Sequence, residues 1–477
     1  MDTLKEMAPQ QSLACRRCGR GFEPEPRVRC PDCGGLLEYR YDEDYLKSLR
    51  FAGALTFWRY RAALPSVEHV ISLGEGGTPI HESRRLGEAI GLGKLYLKDE
   101  SQNPTSSFRD RCASLIVSNA VDLGCDALVA ATAGNLGSSL AAYSAKADLR
   151  CNLVVPKAID MGKLAQMIAY NASIEEHGET VDDSITRAEK LGMETGWYQA
   201  TFELNLLAVE ALKTVAFEVS EQIGVPDWVV VPMGSGGTLY ALWKGFKELE
   251  ASGKTDSLPR LVGVQAEGCS PIVGAFRLKK DQPLEVAEVV TRALAICVKR
   301  PVYGEAALAA LKESEGVAVS VGDGEMFKME RTLAQLEGIF AEPASSATIA
   351  CLKDLLDQGV LDPSDSVVCL ITSSGLKTTD ILNTLDKRSK SLGLGYRLAT
   401  KERILRIIEV GRGKTYGYDI WKRMEKGMTL GAVYQHLSEL EERGLISSFV
   451  EGKRRYFEIT TRGINVLKAL DDLKSLL

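Results

Sequence analysis

The sequence predicts an α/β protein whose long central body carries parallel sheets covered on both faces by helices, with a small cysteine-knuckled domain before it and a helical module after it. Three observations predict this. Short apolar runs such as Leu128–Ala131, Cys151–Pro156 and Trp228–Pro232 alternate with stretches of helical spacing such as Ser138–Lys146 and Lys163–Tyr170, the order that builds parallel strands with crossover helices. Four cysteines fall into two Cys-x-x-Cys pairs near the N-terminus. The chain from Lys401 onward reads as three helices followed by a basic-tipped hairpin.

At 477 residues with 45% hydrophobic composition, the chain can fill about three domains. The expected boundaries are 1–50, 51–395 and 396–477. No apolar run approaches a membrane span, and Met1–Ala14 lacks the charged-then-apolar order of a signal peptide, so a cytoplasmic protein with no membrane partner is expected. The net charge of −6 is unevenly spread. Residues 397–477 hold 16 Lys+Arg against 11 Asp+Glu, a net of +5, which leaves −11 for the rest, and such asymmetry suggests a separate partner for the tail.

In residues 1–50, Cys15-x-x-Cys18-Gly and Cys30-x-x-Cys33-Gly form two knuckles. Two residues between thiolates let each pair wrap one side of a tetrahedral Zn²⁺, and the following glycines permit the turn. Four sulfurs leave no open coordination position, so the expected role is structural. Redox pairs or disulfides are the alternative reading. Met1–Ala14 is expected to fray. The other seven cysteines are scattered singly, as reduced thiols of a cytosolic protein are.

In the body, Phe51–Ser66 reads as a helical linker and Lys94–Glu100 as a strand that Asn103-Pro104 breaks. Helical spacing over Ser107–Leu123 puts Arg109 in a first helical turn. Leu128–Ala131 is a strand followed by the loop Thr132–Gly137, which includes Asn135, and Ser173–His177 is a further strand. Trp228–Pro232 leads into Gly234-Ser235-Gly236-Gly237-Thr238 and the helix Leu239–Glu250. Strand, glycine loop and helix N-terminus together aim backbone N–H groups at one spot, which suits a phosphate dianion. A simple turn is the alternative for such a loop.

The stretch Lys98-Asp-Glu100-Ser-Gln-Asn103-Pro104-Thr105-Ser-Ser107-Phe108-Arg109-Asp110-Arg111 resembles the cofactor-anchoring segment of threonine synthases, members of the fold-type II pyridoxal phosphate enzymes (tryptophan synthase β-like). Leu73–Pro79, Leu261–Ser270, Phe340–Ser346 and Leu370–Lys377 resemble further landmarks of that family, so the resemblance spans about Leu73 to Lys377. It implies a two-domain body with pyridoxal phosphate between the domains, Asn135 on its ring hydroxyl, the Gly234–Thr238 loop on its phosphate and Thr372 at its ring nitrogen. It also implies a lysine at position 109. Arginine stands there instead, and a guanidinium stays protonated and offers no lone pair to a carbonyl. A second departure lies in the segment where the family holds a substrate phosphate. Phe202, Glu203 and Ala208 occupy the positions of asparagine, serine and arginine, although Lys163 keeps a basic position the family uses.

In the tail, Lys401–Val410 and Asp419–Lys426 read as helices, Thr429 as the cap of a third over Leu430–Arg443, and Ser447–Val450 and Tyr456–Thr460 as a hairpin. This is the winged helix-turn-helix order. The strings Thr415-Tyr-Gly-Tyr-Asp-Ile420, Thr429–Ile446 and Lys453-Arg454-Arg455-Tyr-Phe resemble PadR-like transcriptional regulators. In that reading Thr429, Tyr434, Gln435 and His436 face the major groove of double-stranded DNA, with Lys453, Arg454 and Arg455 at its phosphates or minor groove. A winged helix used for protein contact is the alternative. Ile464–Leu477 has amphipathic spacing that could pair two copies, so a homodimer is expected.

These readings combine into a regulator that binds an amino-acid-like ligand, or pyridoxal phosphate held noncovalently with Arg109 as a fixed cation. The alternatives are an active threonine synthase or related β/γ-replacement lyase of amino-acid biosynthesis, for which Lys98 is the remaining amine on the preceding strand, and a ligand-free oligomerisation scaffold.

Overall fold

The computed structural model describes residues 11–23, 27–378, 394–411, 415–424, 429–452 and 454–475, with no side-chain description for 394–399 and 469–475. The chain forms two compact units, residues 1–379 and 380–477.

The first unit begins with a three-stranded antiparallel ribbon in which Gln11–Cys15 lies between Gly21–Phe22 and Leu37–Tyr41. Gln11–Ala14, expected to fray, instead pair with Glu38–Tyr41, and residues 1–10 lie outside the described residues. Phe51–Ser66 contains one short 3₁₀ turn, Phe57–Ala63, rather than a helix along its length. Two sheets follow. One has six strands in the order Val317–Val321, Arg260–Ala266, Trp228–Pro232, Ser366–Ile371, Lys94–Asp99 and Ile80–Glu82, parallel except at the last pair. The other has four parallel strands, Ser173–Glu176, Arg150–Val155, Ala127–Ala131 and Tyr198–Gln199. Ala127–Ala131 and Trp228–Pro232 are buried at every residue. That explains why both are apolar runs without alternation, as strands covered on both faces must be.

The helix Arg109–Asp122 packs against Asn135–Lys146 and Leu207–Leu212. Inside the six-stranded half its footing is ionic. Arg111, fully buried, donates from Nε and Nη2 to Glu100 at 2.8 and 2.7 Å and from Nη1 and Nη2 to Glu218 at 2.6 and 2.8 Å. Lys98 adds 2.7 Å bonds to Glu218 and to the Thr78 carbonyl and a 2.9 Å bond to Gln222. Two cations thus meet two carboxylates with no net charge, and each remaining donor has an acceptor. A buried ionic group is tolerable only on such terms.

In the second unit the helices Leu394–Val410, Gly417–Arg423 and Leu430–Glu442 precede a three-stranded antiparallel sheet in which Arg454–Ile459 lies between Thr415–Tyr416 and Ile446–Glu451. Ile404, Ile408, Ile420, Val433, Leu437 and Phe457 fill its core. The helix Thr461–Ser475 follows.

Candidate functional site

The ends of Trp228–Pro232 and Ala127–Ala131 and the start of Arg109–Asp122 converge on one cavity of about 90 Å³ lined by Arg109, Asn135, Phe202, Glu203, Gly234–Thr238, Glu342 and Thr372. Six of the positions expected to bind a ligand are therefore brought together with Arg109 and Asn135. Gly134, at φ +140°, starts the Asn135 helix where a Cβ would lie 2.2 Å from the Lys163 side chain, so only glycine lets strand and helix meet there.

On one wall Glu342 is the hub. It accepts from Asn135 Nδ2 at 3.0 and 3.2 Å and from Thr372 Oγ1 at 3.2 Å, and pairs with Lys163 at 3.2 Å. Ser373 donates to Asn135 Oδ1 at 3.2 Å, and Ser345 and Thr372 share a 2.8 Å hydroxyl contact. Sequence reasoning placed Glu342 in a landmark without giving it a role. Its position, an acid directly before Pro343 at a helix start, was the available signal.

The opposite wall is occupied by the chain's own side chains. The Arg109 guanidinium carbon lies 4.0 Å from the Phe202 ring centroid and 4.6 Å from that of Phe108, and its Nη1 is buried with no acceptor. Phe202 lies against the glycine loop so closely that a Cβ on Gly237 would be 2.3 Å from its ring. Burial raises the Glu203 carboxyl above its usual range, with Arg109 and a hydrogen bond to Ser235 acting against that rise.

Three buried lysines, Lys98, Lys163 and Lys377, belong to the same body, and each already has acceptors. Lys98 serves the Glu218 network on the far side of its strand. Lys163 bonds Asp160 at 2.8 Å as well as Glu342. Lys377, lowered by burial to about 8, donates to the Thr105 carbonyl at 2.8 Å.

In the ribbon, the sulfurs of Cys15, Cys18, Cys30 and Cys33 lie within 4.8 Å of one another, with Cys15–Cys33 at 3.4 Å and Cys18–Cys30 at 3.8 Å. Tetrahedral ZnS₄ geometry with 2.3 Å bonds separates sulfurs by about 3.8 Å, so the four residues fit a structural zinc ion. Gly19 and Gly34 have φ of +75° and +69°, the left-handed turn each knuckle needs. Chelation by a strong zinc ligand is expected to unfold the ribbon and expose Leu13 and Leu37, seen as loss of protection at Gln11–Cys15 in hydrogen exchange. The described histidines join no metal-ligand cluster.

In the winged unit the candidates divide. Thr429 caps its helix through Ala432 N at 3.3 Å and is exposed, as is Gln435. Tyr434 departs from the expected groove contact. Its ring packs on Phe457 at 6.4 Å and against Gly417, where a Cβ would meet it at 2.6 Å, so its aromatic body serves the core. His436 is largely covered, near Glu439. Arg455 is bonded to Glu441 at 2.6 Å and Ser448 at 2.9 Å, whereas Arg454 lies over Tyr416. Lys453 lies outside the described residues.

Residues 71–373 match the pyridoxal-phosphate dependent enzyme family and residues 404–469 the transcriptional regulator PadR-like family. The chain belongs to the pyridoxal-phosphate dependent enzyme family. Among its relatives are the threonine synthase of Methanocaldococcus jannaschii, 38% identical over 77% of this chain and 93% of the relative, and that of Methanosarcina acetivorans, 36% identical over 76% and 92%. The processed form of threonine deaminase isoform 2 from Solanum lycopersicum shares the fold, with a TM-score of 0.56 at 18% identity over 65% of this chain and 82% of that one. Among the described residues no helix is long and apolar enough to cross a membrane.

The family's cofactor is pyridoxal phosphate, and the wall of Asn135, Glu342 and Thr372 offers it polar partners. The other wall does not fit it. A cofactor pocket measures about 300–1,000 Å³, against about 90 Å³ here. The phosphate end would meet the Phe202 ring at Gly237 and a carboxyl beside Ser235. Position 109 supplies no amine.

Proposed function

We propose that this chain is a ligand-responsive, DNA-binding regulator whose threonine synthase-like body no longer performs the chemistry of that family. The observation that carries the reading is Arg109, at the start of the anchoring helix, where the family places its reactive lysine. A guanidinium cannot attack a carbonyl, and Lys98, Lys163 and Lys377 are committed to carboxylates or carbonyls. The body's remaining capacity is to bind, and the PadR-like unit gives binding an output.

The exposed face of Leu430–Glu442, with Thr429 and Gln435, is the surface offered to a major groove, and the hairpin tip with Arg454 reaches the flanking backbone. One module makes few phosphate contacts, so useful affinity calls for two copies. A ligand would change DNA affinity by binding two arrangements of that dimer unequally. Noncovalent pyridoxal phosphate belongs to this reading only with Phe202 and Glu203 displaced from the cup.

Selection of bound fragments from a genomic DNA library, followed by anisotropy titrations at several salt concentrations, tests the DNA-binding half. Gln435→Ala is expected to cost about 1–3 kcal/mol on the selected site and to relax its sequence preference. Arg454→Ala is expected to weaken all sequences alike and to lower the salt slope by about one. Absence of any saturable DNA binding would sink the regulator.

The second reading, an active threonine synthase, is favoured by the 38% identity to the Methanocaldococcus jannaschii enzyme. It requires an amine that position 109 lacks.

A further inference from the structure

The cavity that excludes the family cofactor has features of its own. Arg109 is not loose in it. Its guanidinium is stacked on Phe202 and touches the face of Phe108, so the plane of the fork is set before any ligand arrives. Stacking uses the face of the guanidinium and leaves its edge N–H groups to hydrogen-bond. One of these, Nη1, is buried without an acceptor. A buried charged donor left unmade is costly, and such an atom marks the place of an absent partner.

Glu203 faces this cation and does not supply that partner. Burial raises its carboxyl and Arg109 opposes that rise, but no hydrogen bond joins it to Nη1. Across the cavity, Glu342 is already satisfied by Asn135, Thr372 and Lys163. The cavity therefore holds a guanidinium with one nitrogen in want of an acceptor, at the end where the Gly234–Thr238 loop and the start of the 15-residue helix Gly237–Ala251 also favour negative charge.

Resting on the ligand-responsive part of the function proposed above, we propose that this pocket takes a small carboxylate, its oxygens on the edge of the Arg109 guanidinium, in the place the family gives to its cofactor. A carboxylate is planar and matches the fork with two parallel bonds. A cavity of about 90 Å³ admits a molecule of a few heavy atoms, of the order of a two- to four-carbon acid, and not a phosphorylated pyridine ring. The carboxylate could belong to a free α-amino acid or to a 2-oxo acid. In the first case Glu203 and Glu342, which line the same cavity, are the acids nearest its ammonium group, and in the second they have nothing to receive.

Isothermal titration of the full-length protein with L-serine, with pyruvate and with inorganic phosphate distinguishes these cases. Saturable binding of L-serine or pyruvate at millimolar affinity or tighter is expected, with phosphate at least tenfold weaker. Preference for serine assigns an amino acid and preference for pyruvate a 2-oxo acid. Arg109→Gln is expected to lower the affinity at least tenfold, and Arg109→Lys, which keeps the charge and loses the fork, to fall between them. Circular dichroism melts of both variants establish that they fold. If Arg109→Gln fails to fold, the Lys variant and the phosphate comparison still decide.

The site is overturned if neither probe binds, if Arg109→Gln binds as well as the parent, or if the parent retains stoichiometric pyridoxal phosphate after desalting. DNA binding is measured on the same preparation without a probe. Protein that binds DNA but neither probe removes the carboxylate site and leaves the regulator. Protein that binds a probe but no DNA removes the regulator and leaves the site.

Discussion

Mixed with pyridoxal phosphate, desalted, treated with borohydride and weighed by mass spectrometry, the parent chain is expected to carry no pyridoxyl adduct and to lose its aldehyde absorbance on desalting. Arg109→Lys alone is expected to change this little. Restoring the amine leaves Phe202 against Gly237 and the Glu203 carboxyl beside Ser235, and a phosphate dianion brought to a carboxylate is repelled. The combination of Arg109→Lys with Phe202→Asn and Glu203→Ser should accept the cofactor, with a pyridoxyl group on Lys at position 109 after reduction. This is a change from essentially none to near-stoichiometric labelling. An adduct on any lysine of the parent chain would revive the enzyme, and a single Arg109→Lys variant that labels fully would show that the cup was never closed.

The second large effect concerns stability. Replacing Arg111 by Met leaves Glu100 and Glu218 buried side by side, with Lys98 as the one remaining cation of the network. Breaking a buried ion pair by removing one partner costs about 3–5 kcal/mol, and here the single arginine serves two carboxylates through four hydrogen bonds. The chain is expected to lose at least that much in urea titrations, a large share of the total stability of an ordinary domain. The same network dictates an acid response. Burial alone would raise the Glu218 carboxyl, but Arg111 and Lys98 outweigh it and hold it down to about 2. A carboxyl lowered in the folded state contributes stability that is complete above its unfolded value of about 4.3 and is lost as pH falls toward 2. In the Arg111→Met variant this acid-sensitive component should shrink. An unchanged urea midpoint would remove the network from the list of what holds the body together.

Much of the fold was legible because local signals agreed with one another. Trp228–Pro232 was read to the residue, since five consecutive apolar residues ended by a glycine loop leave little choice. The gathering of Cys15, Cys18, Cys30 and Cys33 was legible from their spacing alone. What was not legible was direction. The spacing that puts Tyr434 on the third helix of the tail does not say that its ring turns toward Gly417 and Phe457, because a residue adjoining the buried Val433 lies at the border between core and surface. Likewise Phe202 and Glu203 could be seen as departures from a clamp. That both line the cup, with Phe202 stacked on Arg109, depends on the path of the 3₁₀ turn Phe202–Leu204 after the short strand Tyr198–Gln199, and neither element is announced by periodicity. Lys98 shows the opposite case. Its place on the strand before Arg109 was read from the sequence, and its three acceptors, the Thr78 carbonyl, Glu218 and Gln222, hold it in the ionic network.

Arg109 and Arg111 stand two residues apart on one helix, about 200° around its axis. One points into the cavity and the other into the ionic core beneath it. The residue that would do chemistry and the residue that keeps the helix in place are thus on separate faces and answer to separate neighbours. Position 109 can be exchanged without disturbing the four bonds at 111, so the scaffold can change its occupation while keeping its shape. Arginine in place of lysine at 109 changes what faces the cavity without touching the residues that hold the helix to its neighbours.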